Sequence, residues 1–249
     1  VRQRRDEAYV LGVSELGEAD LIVTLLAEHH GRVRGVAASA RKSRRRFGGA
    51  LAPMTRVAAS WVEREGRELH RIESLEPLRS FATMQAEPAR QAACAVLAEI
   101  TTATIRDEQP EAAMFRLLGA VLAALEGGLH PWLAVRYAEY WTLKLHGVLP
   151  DLSQCAECGE PLAVSSRRYA VPGVGCLCGS CPKPQGAVAL RAAELEALAV
   201  IDKNPPHALL FPLEVARPQG PLEVFLRGTI EAFAERSFRS YRHLRAATS

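Results

Sequence analysis

Along the first eighty residues, apolar and polar positions alternate in short runs. EAYVLGVSEL, ADLIVTLLAEHHG, RVRGVAASAR, LAPMTRVAASWVERE and RELHRIESLEPL are each rich in Val, Ile, Leu and Thr, with Gly, Asp or charged residues between them. A period near two, broken by turn formers, predicts five β-strands. Five short strands are too few for a sandwich and suit a small closed barrel. A five-stranded Greek-key barrel of the OB type is the expectation; an SH3-like barrel is the other architecture of this size.

The pattern then changes to a helical one. Ala93, Val96, Leu97, Ile100 and Ile105 recur at helical spacing between Glu87 and Ile105. Pro110 opens a second helix, with Met114, Leu117, Leu118, Val121 and Leu125 on one stripe and Gly127-Gly128 ending it. Pro131 opens a third that places Leu133, Tyr137, Tyr140 and Trp141 inward and closes at Gly147 and Pro150. That aromatic stripe reads as core rather than as a platform for bases. Between Pro150 and Gly186 helical periodicity fades, and five Cys and five Gly appear. A helix returns over Leu190 to Ile201. A Pro-rich connector (Pro205, Pro206, Pro212, Pro218, Pro221) leads to a last helix with Leu222, Leu226, Ile230, Phe233, Tyr241 and Leu244 on its core face. The expected class is α+β multidomain. An OB-type barrel occupies residues 1–80, and an α-helical domain occupies 81–249 with a metal module at 150–185.

Composition adds little to this and excludes several classes. The chain has 249 residues, 48% hydrophobic and 24% charged, which is an ordinary globular balance and not a disordered one. Its longest apolar stretch, Leu117 to Leu125, is far below the ~20 residues of a membrane span. VRQRRDEAYV has no apolar signal core. These features lead to the expectation of a soluble, cytoplasmic protein with no membrane partner.

Six cysteines carry the sharpest chemical signal. Cys94 lies in a helical stripe and reads as a small buried hydrophobe. Cys155-Ala-Glu-Cys158 and Cys178-Gly-Ser-Cys181 are two CxxC pairs separated by nineteen residues. That spacing is expected of a four-thiolate zinc site, each pair forming one knuckle. The residues between them are expected to form a hairpin, and Gly159 and Gly179 to permit the tight turns. Cys176 leaves a second possibility open, because CxC from Cys176 to Cys178 would shift the ligand set. The expected ligands are Cys155, Cys158, Cys178 and Cys181, holding one structural Zn2+ per chain. Four thiolates close the coordination sphere, so no open position remains for catalysis. Disulfides are the competing use of such cysteines in secreted proteins.

The net charge is only +3, but its distribution is uneven. Residues 1–80 hold 15 Lys/Arg against 11 Asp/Glu, while residues 81–149 hold 5 against 7. Between Arg32 and Arg46 there is no acid, and Arg32, Arg34, Arg41, Lys42, Arg44, Arg45 and Arg46 cluster there. In a barrel this segment joins strand three to strand four at one mouth, near the loops with which OB-folds hold single strands. Alternation would place Arg32 and Arg34 on one face and Val33 on the other. Gly35 is a candidate bulge, and Phe47 a candidate base-stacking side chain. A solvated loop that serves solubility is the other reading of such a charge run. Arg236, Arg239, Arg242 and Arg245, spaced by three on the expected last helix, either extend the basic surface or complement the helix dipole.

No GxxxxGK[ST], GxSxG or HExxH occurs, and no carboxylate cluster suggests a two-metal nuclease. No catalysed covalent step is expected, so the chain is not read as an enzyme. An OB barrel with a four-Cys module also suits RNA- or ribosome-associated proteins. A polynucleotide ligase would need a KxDG lysine, which is absent.

Taken together, EAYVLGVSELGEADLIVTLLAEHHGRVRGVAASARKSRRRFGGALAPM, GVLPDLSQCAECGEPL and GVGCLCGSC resemble the bacterial RecO family, and so does the order of barrel, helices and zinc module. The resemblance implies a DNA repair and recombination mediator of the RecF pathway. It implies binding of single- and double-stranded DNA and annealing of complementary strands. It further implies action with RecR, RecF and single-strand-binding protein in loading RecA. The family's paired glycine before the second CxxC is replaced here by Val174-Gly175, and Cys176 is extra.

Overall fold

A computed structural model describes residues 2–63, 66, 68–81, 84, 86–107, 109–163 and 168–248, with the backbone alone at 44 and 45. Five strands come first: β1 (Arg2–Leu16), β2 (Asp20–Ala27), β3 (Gly31–Ala37), β4 (Arg56–Glu63) and β5 (His70–Arg79). They close into a barrel in the order β1-β2-β3-β5-β4. Every pairing is antiparallel except β3 with β5, which is parallel. This is the OB-type topology that the strand spacing predicted. Alternation decides which side chains enter. Ala8 and Val10 of β1, Val23 and Leu25 of β2, Val33 of β3, Val57 and Trp61 of β4 and Ile72 and Leu75 of β5 form one buried cluster.

Between β3 and β4 the chain makes one helical turn, α1 (Arg44–Phe47). Ala40, Phe47 and Ala50 from this connection join the barrel core, so the segment caps one mouth.

Longer helices follow the barrel, among them α2 (Pro88–Thr104), α3 (Ala112–Glu126), α4 (Pro131–Leu145) and, later, α5 (Ala192–Lys203). Pro stands at the first turn of α2 and of α4, where its missing N–H costs no hydrogen bond. The chain divides into two compact units, Val1–Leu122 and Ala123–Ser249. In the first unit, α2 lies against β1 and β2, so these helical residues group with the barrel.

In the second unit α4 is central. It meets α5, α6 (Leu213–Ala216) and α7 (Pro221–Phe233). Arg136 and Glu139 on α4 are both buried and pair at 2.9 Å, and the Tyr241 hydroxyl donates to Glu139. Burial pushes the Glu139 carboxyl up to about 8. Loss of Glu139 would leave the buried Arg136 guanidinium without its nearest partner, at a cost of about 3–5 kcal/mol.

The last helix differs from expectation. It is two helices, α7 and α8 (Tyr241–Ala247), because Glu235 adopts a left-handed φ of 51° just after α7. Arg236 N–H donates to the Glu231 carbonyl and Phe238 N–H to the Glu231 carboxylate, which turns the chain away from the axis. Phe233 is consequently 39% exposed rather than core. Trp141 is also only half-buried, with its indole N–H directed to the Ile201 carbonyl.

Candidate functional site

The cations between residues 32 and 46 do not share one fate. Arg32 is held inside its own unit. Its guanidinium donates to both oxygens of Asp107, at 2.5 and 3.0 Å, and to the Thr102 carbonyl at 2.7 Å. The same ion pair holds the Asp107 carboxyl below the ordinary carboxylate range. Arg32 N–H also donates to the Arg106 carbonyl. The Arg32 guanidinium therefore makes three hydrogen bonds, to Asp107 and Thr102, before any ligand arrives.

Arg34, two residues on, is exposed, and Val33 between them is core, as alternation requires. Beyond β3, Arg41 and Lys42 are exposed. Arg41 pairs with Glu15 at 3.1 Å, but Glu15 is 70% exposed. Such a surface pair is worth only about 0–1 kcal/mol and leaves the guanidinium available to a stronger anion. Arg46 donates to Ser43 Oγ and to the Ala38 carbonyl and lies 5.0 Å over the Phe47 ring, so it braces the turn. The backbone of Arg44 and Arg45 belongs to α1; their side chains lie outside the described residues.

Two expectations for this segment are corrected. Phe47 does not present a face for bases: it is 2% exposed and fills the barrel mouth. Burying a Phe stabilises by about 1.5–3 kcal/mol, and a stacked base returns ~1–3 kcal/mol, so withdrawal brings no net gain. Gly35 is not a bulge, since β2 and β3 stay in register from Leu21–Ala37 through Ala27–Gly31. A Cβ at Gly35 would lie 2.6 Å from Ile72 Cδ1 and 3.0 Å from the His70 carbonyl oxygen. Close approach of β5 explains the glycine.

The second site is built from two tight turns. The Sγ atoms of Cys155, Cys158, Cys178 and Cys181 all lie within 4.8 Å of one another. Cys155 and Cys181 are 3.8 Å apart, and Cys158 and Cys178 are 3.9 Å apart. A tetrahedron with metal–sulfur bonds of about 2.3 Å has edges of about 3.8 Å, so the thiols fit a four-coordinate ion. All four are free thiols. Backbone N–H groups of Cys158 and Cys178 aimed at Cys155 bring its thiol down to about 6, so this ligand is poised in its metal-binding form.

The elements around the site make the meeting possible. After the first pair, Gly159 takes a φ of 73° and its N–H donates to the Cys155 carbonyl. A hairpin of β6 (Arg168–Val171) and β7 (Gly175–Leu177) carries the chain to the second pair, and β8 (Val188–Leu190) completes the small sheet. Gly179, by contrast, needs no left-handed backbone. Cys176 stands outside the sulfur group. Its thiol is fully buried and pushed up to about 11, while its carbonyl accepts from Ala156 N–H at 2.8 Å. It serves the first knuckle through its backbone. The buried Arg168 guanidinium donates to the carbonyls of Leu152, Leu162 and Ala163 and pins the module's other side.

The four C-terminal arginines do not form one helical array. Only Arg242 and Arg245 are on α8, and Arg245 reaches Glu223. Sequence spacing also missed Asp107 as the partner of Arg32, because 75 residues separate them.

The comparisons with known proteins agree with this architecture. The family described as Recombination protein O N terminal matches residues 1–81, and Recombination protein O C terminal matches residues 85–217. A DNA repair protein RecO from Koribacter versatilis (strain Ellin345) is 42% identical over 159 residues, 64% of this chain and 65% of that protein. One from Anaeromyxobacter sp. (strain K) is 38% identical over 190 residues, 76% of this chain and 75% of its own. One from Geobacter sulfurreducens is 32% identical over 248 residues, 98% of each chain.

Proposed function

The chain belongs to the RecO family of DNA repair proteins, and from that premise we propose that it is a recombination mediator that binds single- and double-stranded DNA and anneals complementary strands. With RecR it helps to load RecA on DNA coated by single-strand-binding protein, and RecF is a further partner. It works in the cytoplasm at the nucleoid and catalyses no covalent step. Residues 1–80 form the DNA-binding domain, and residues 81–249 the helical domain with its metal module at 150–185.

The observation that carries this reading is the exposed, acid-poor run at the barrel mouth. Arg34, Arg41 and Lys42 face solvent there, beside the turn that carries Arg44 and Arg45. Cations in such a place displace the counterions of a phosphate backbone. Two strands brought together on them repel each other less, which is the physical requirement of annealing. Contacts to phosphates carry no sequence information, in keeping with binding that ignores sequence. Arg32 belongs to the same proposed set, with its guanidinium already engaged by Asp107 at the start of β3. Four thiolates in a tetrahedron suit zinc, and the closed coordination sphere gives the ion a structural role.

Charge reversal of Arg44, Arg45 and Arg46 tests the site. The expected result is weaker DNA binding, a shallower salt dependence and slower annealing of oligonucleotides coated with single-strand-binding protein, with and without RecR. Unchanged affinity together with an unchanged salt slope would overturn the assignment. Matched DNA and RNA oligonucleotides in the same titration report whether DNA is the preferred ligand.

A further inference from the structure

One outer face of the barrel, over β1, β4 and β5, carries a cleft of about 410 Å³. Alternation sets its lining. Ala8, Val57, Ala59 and Leu75 enter the core, so Arg5 and Glu7 of β1, Ala58 and Ser60 of β4, and Ser74 and Glu76 of β5 point outward into the cleft. Register arranges these six in two rows. Arg5 lies opposite Ser60 and Ser60 opposite Ser74, while Glu7 lies opposite Ala58 and Ala58 opposite Glu76. Small side chains on the central strand form the floor, and the flanking strands form the walls. Both ends are closed. Gln3 Nε2 of β1 reaches across β4 to Glu73 of β5 at 2.8 Å. At the other end Arg56 Nε donates to Glu7 at 2.8 Å, and the guanidinium lies 5.5 Å over the Phe115 ring of α3.

Several groups in this cleft lack a partner. Ser60 is only 8% exposed, yet its hydroxyl opens on the cleft and has no hydrogen bond among the described residues, and the Ser74 hydroxyl has none either. Arg5 and Glu76 are exposed and have no ion pair among the described residues, unlike Glu7, which Arg56 holds. Leaving a buried hydroxyl unpaired is costly, so an occupant that satisfies Ser60 is favoured. The two free charges have opposite sign and stand in different rows. Arg5, Ser60 and Ser74 bring a guanidinium and two hydroxyls together, which are donors suited to a carboxylate. Glu76 in the other row is an acceptor suited to an ammonium. Two residues of antiparallel strand separate the rows by about 6.8 Å. Two residues of extended peptide span the same length, at about 3.4 Å each. A single α-amino acid is too short to reach both rows, and a bare anion engages only one of them.

We propose that this cleft binds a short zwitterion of dipeptide length, with its carboxylate on Arg5, Ser60 and Ser74 and its ammonium on Glu76. Ala58 between the two charged ends leaves room for the body of the ligand and makes no demand on its side chains. The site uses none of the cations assigned to DNA. Its selectivity lies in the distance between two opposite charges, and the buried Ser60 hydroxyl fixes the carboxylate end.

Proton–nitrogen correlation NMR of the full chain, titrated with alanyl-alanine, tests the site. Millimolar dipeptide is expected to move the amide signals of Arg5, Ser60, Ser74 and Glu76 saturably. Alanine, inorganic phosphate and alanyl-alanine blocked at both ends are expected to move them little. Arg5→Gln and Glu76→Gln, both at exposed positions, should keep the spectrum of the folded chain and weaken binding about tenfold each, the loss of one charge-assisted contact. Ser60→Ala should weaken it as well, by less. Shifts from alanine, phosphate or the blocked dipeptide as large as those from alanyl-alanine would overturn the paired-charge assignment, as would binding that survives both Gln variants. A spectrum unmoved by the dipeptide would overturn the site altogether and leave water as the partner of Ser60.

Discussion

Asp6 on β1 gathers four donors: Glu7 N–H, His29 N–H and the Nδ1 atoms of His29 and His30. Burial alone would raise its pKa, but the hydrogen bonds from His29 and His30 bring it below the ordinary carboxylate value. Its hydrogen bond in turn raises the His29 pKa. The two shifts define a window. The Asp6 contribution exists above an unfolded value near 3.8 and is lost as pH falls through its lowered folded value. The His29 contribution is complete below about 6.5 and is lost as pH rises through its raised folded value. Asp6→Asn should therefore cost most between about pH 4 and pH 6.5. Urea midpoints at about pH 5.5 and about pH 8.5 check this, with the gap to wild type smaller at the higher pH. An equal gap at both would show that His29 does not take part. At this scale the sequence was legible where one position decides itself, as with Val33 entering the core between two arginines. It was silent where the partner is distant. Arg32 meets Asp107 only after the fold forms, and Phe47 reads as a loop aromatic until the barrel mouth is seen around it. Gly31 is similar: a Cβ there would lie 1.9 Å from the Gln109 carbonyl oxygen, a neighbour no local pattern reveals.

Among the elements, the two cysteine knuckles were the most legible, because each CxxC is a local turn and only their meeting needed the hairpin between them. The choice of Cys178 over Cys176 was not fixed by spacing. In the structure the Cys178 sulfur joins those of Cys155, Cys158 and Cys181, and Cys176 lies outside that group. A metal count on the purified chain should give one zinc. The Cys155→Ala/Cys158→Ala variant should lose it and melt several degrees lower, with faster amide exchange across β6–β8. A metal-free variant with native melting would show that the module holds its shape without the ion. The division of the last helix was hidden for a different reason. Its apolar spacing continues from Ile230 to Leu244, and only the left-handed Glu235 and the Glu231 carboxylate behind it interrupt the axis. Periodicity reports which residues want burial, not whether one straight helix delivers them.

For the whole molecule, a net charge of +3 says little about DNA, and the local sum says much more. Arg34, Arg41, Lys42 and Arg71 are exposed on or beside the barrel. If each neutralises one phosphate of a single strand, log K should fall against log salt with a slope of about −3, steeper if Arg44 and Arg45 take part. Annealing should follow with a revealing sign. Added salt speeds the pairing of bare strands by screening their repulsion, but it should slow the protein-dependent reaction by releasing the strands. A protein-dependent rate that rises with salt would contradict cation-driven pairing. Among the described residues no helix is long and apolar enough to cross a membrane.

Closure of the barrel has a consequence for what kind of partner it can recruit. β1 zips to β4 along its first half, and β5 covers the far end of β3. Asp107 forms a parallel bridge to Arg32 at the near end. With β2 along one flank of β3 and β5 and Asp107 at the two ends of the other, an incoming peptide finds no long row of unpaired amides on that strand. A protein that docks along β3 would grip side chains there, among them cations proposed to hold phosphate. Protein and nucleic acid would then compete for one surface, and a partner could dislodge a strand merely by docking.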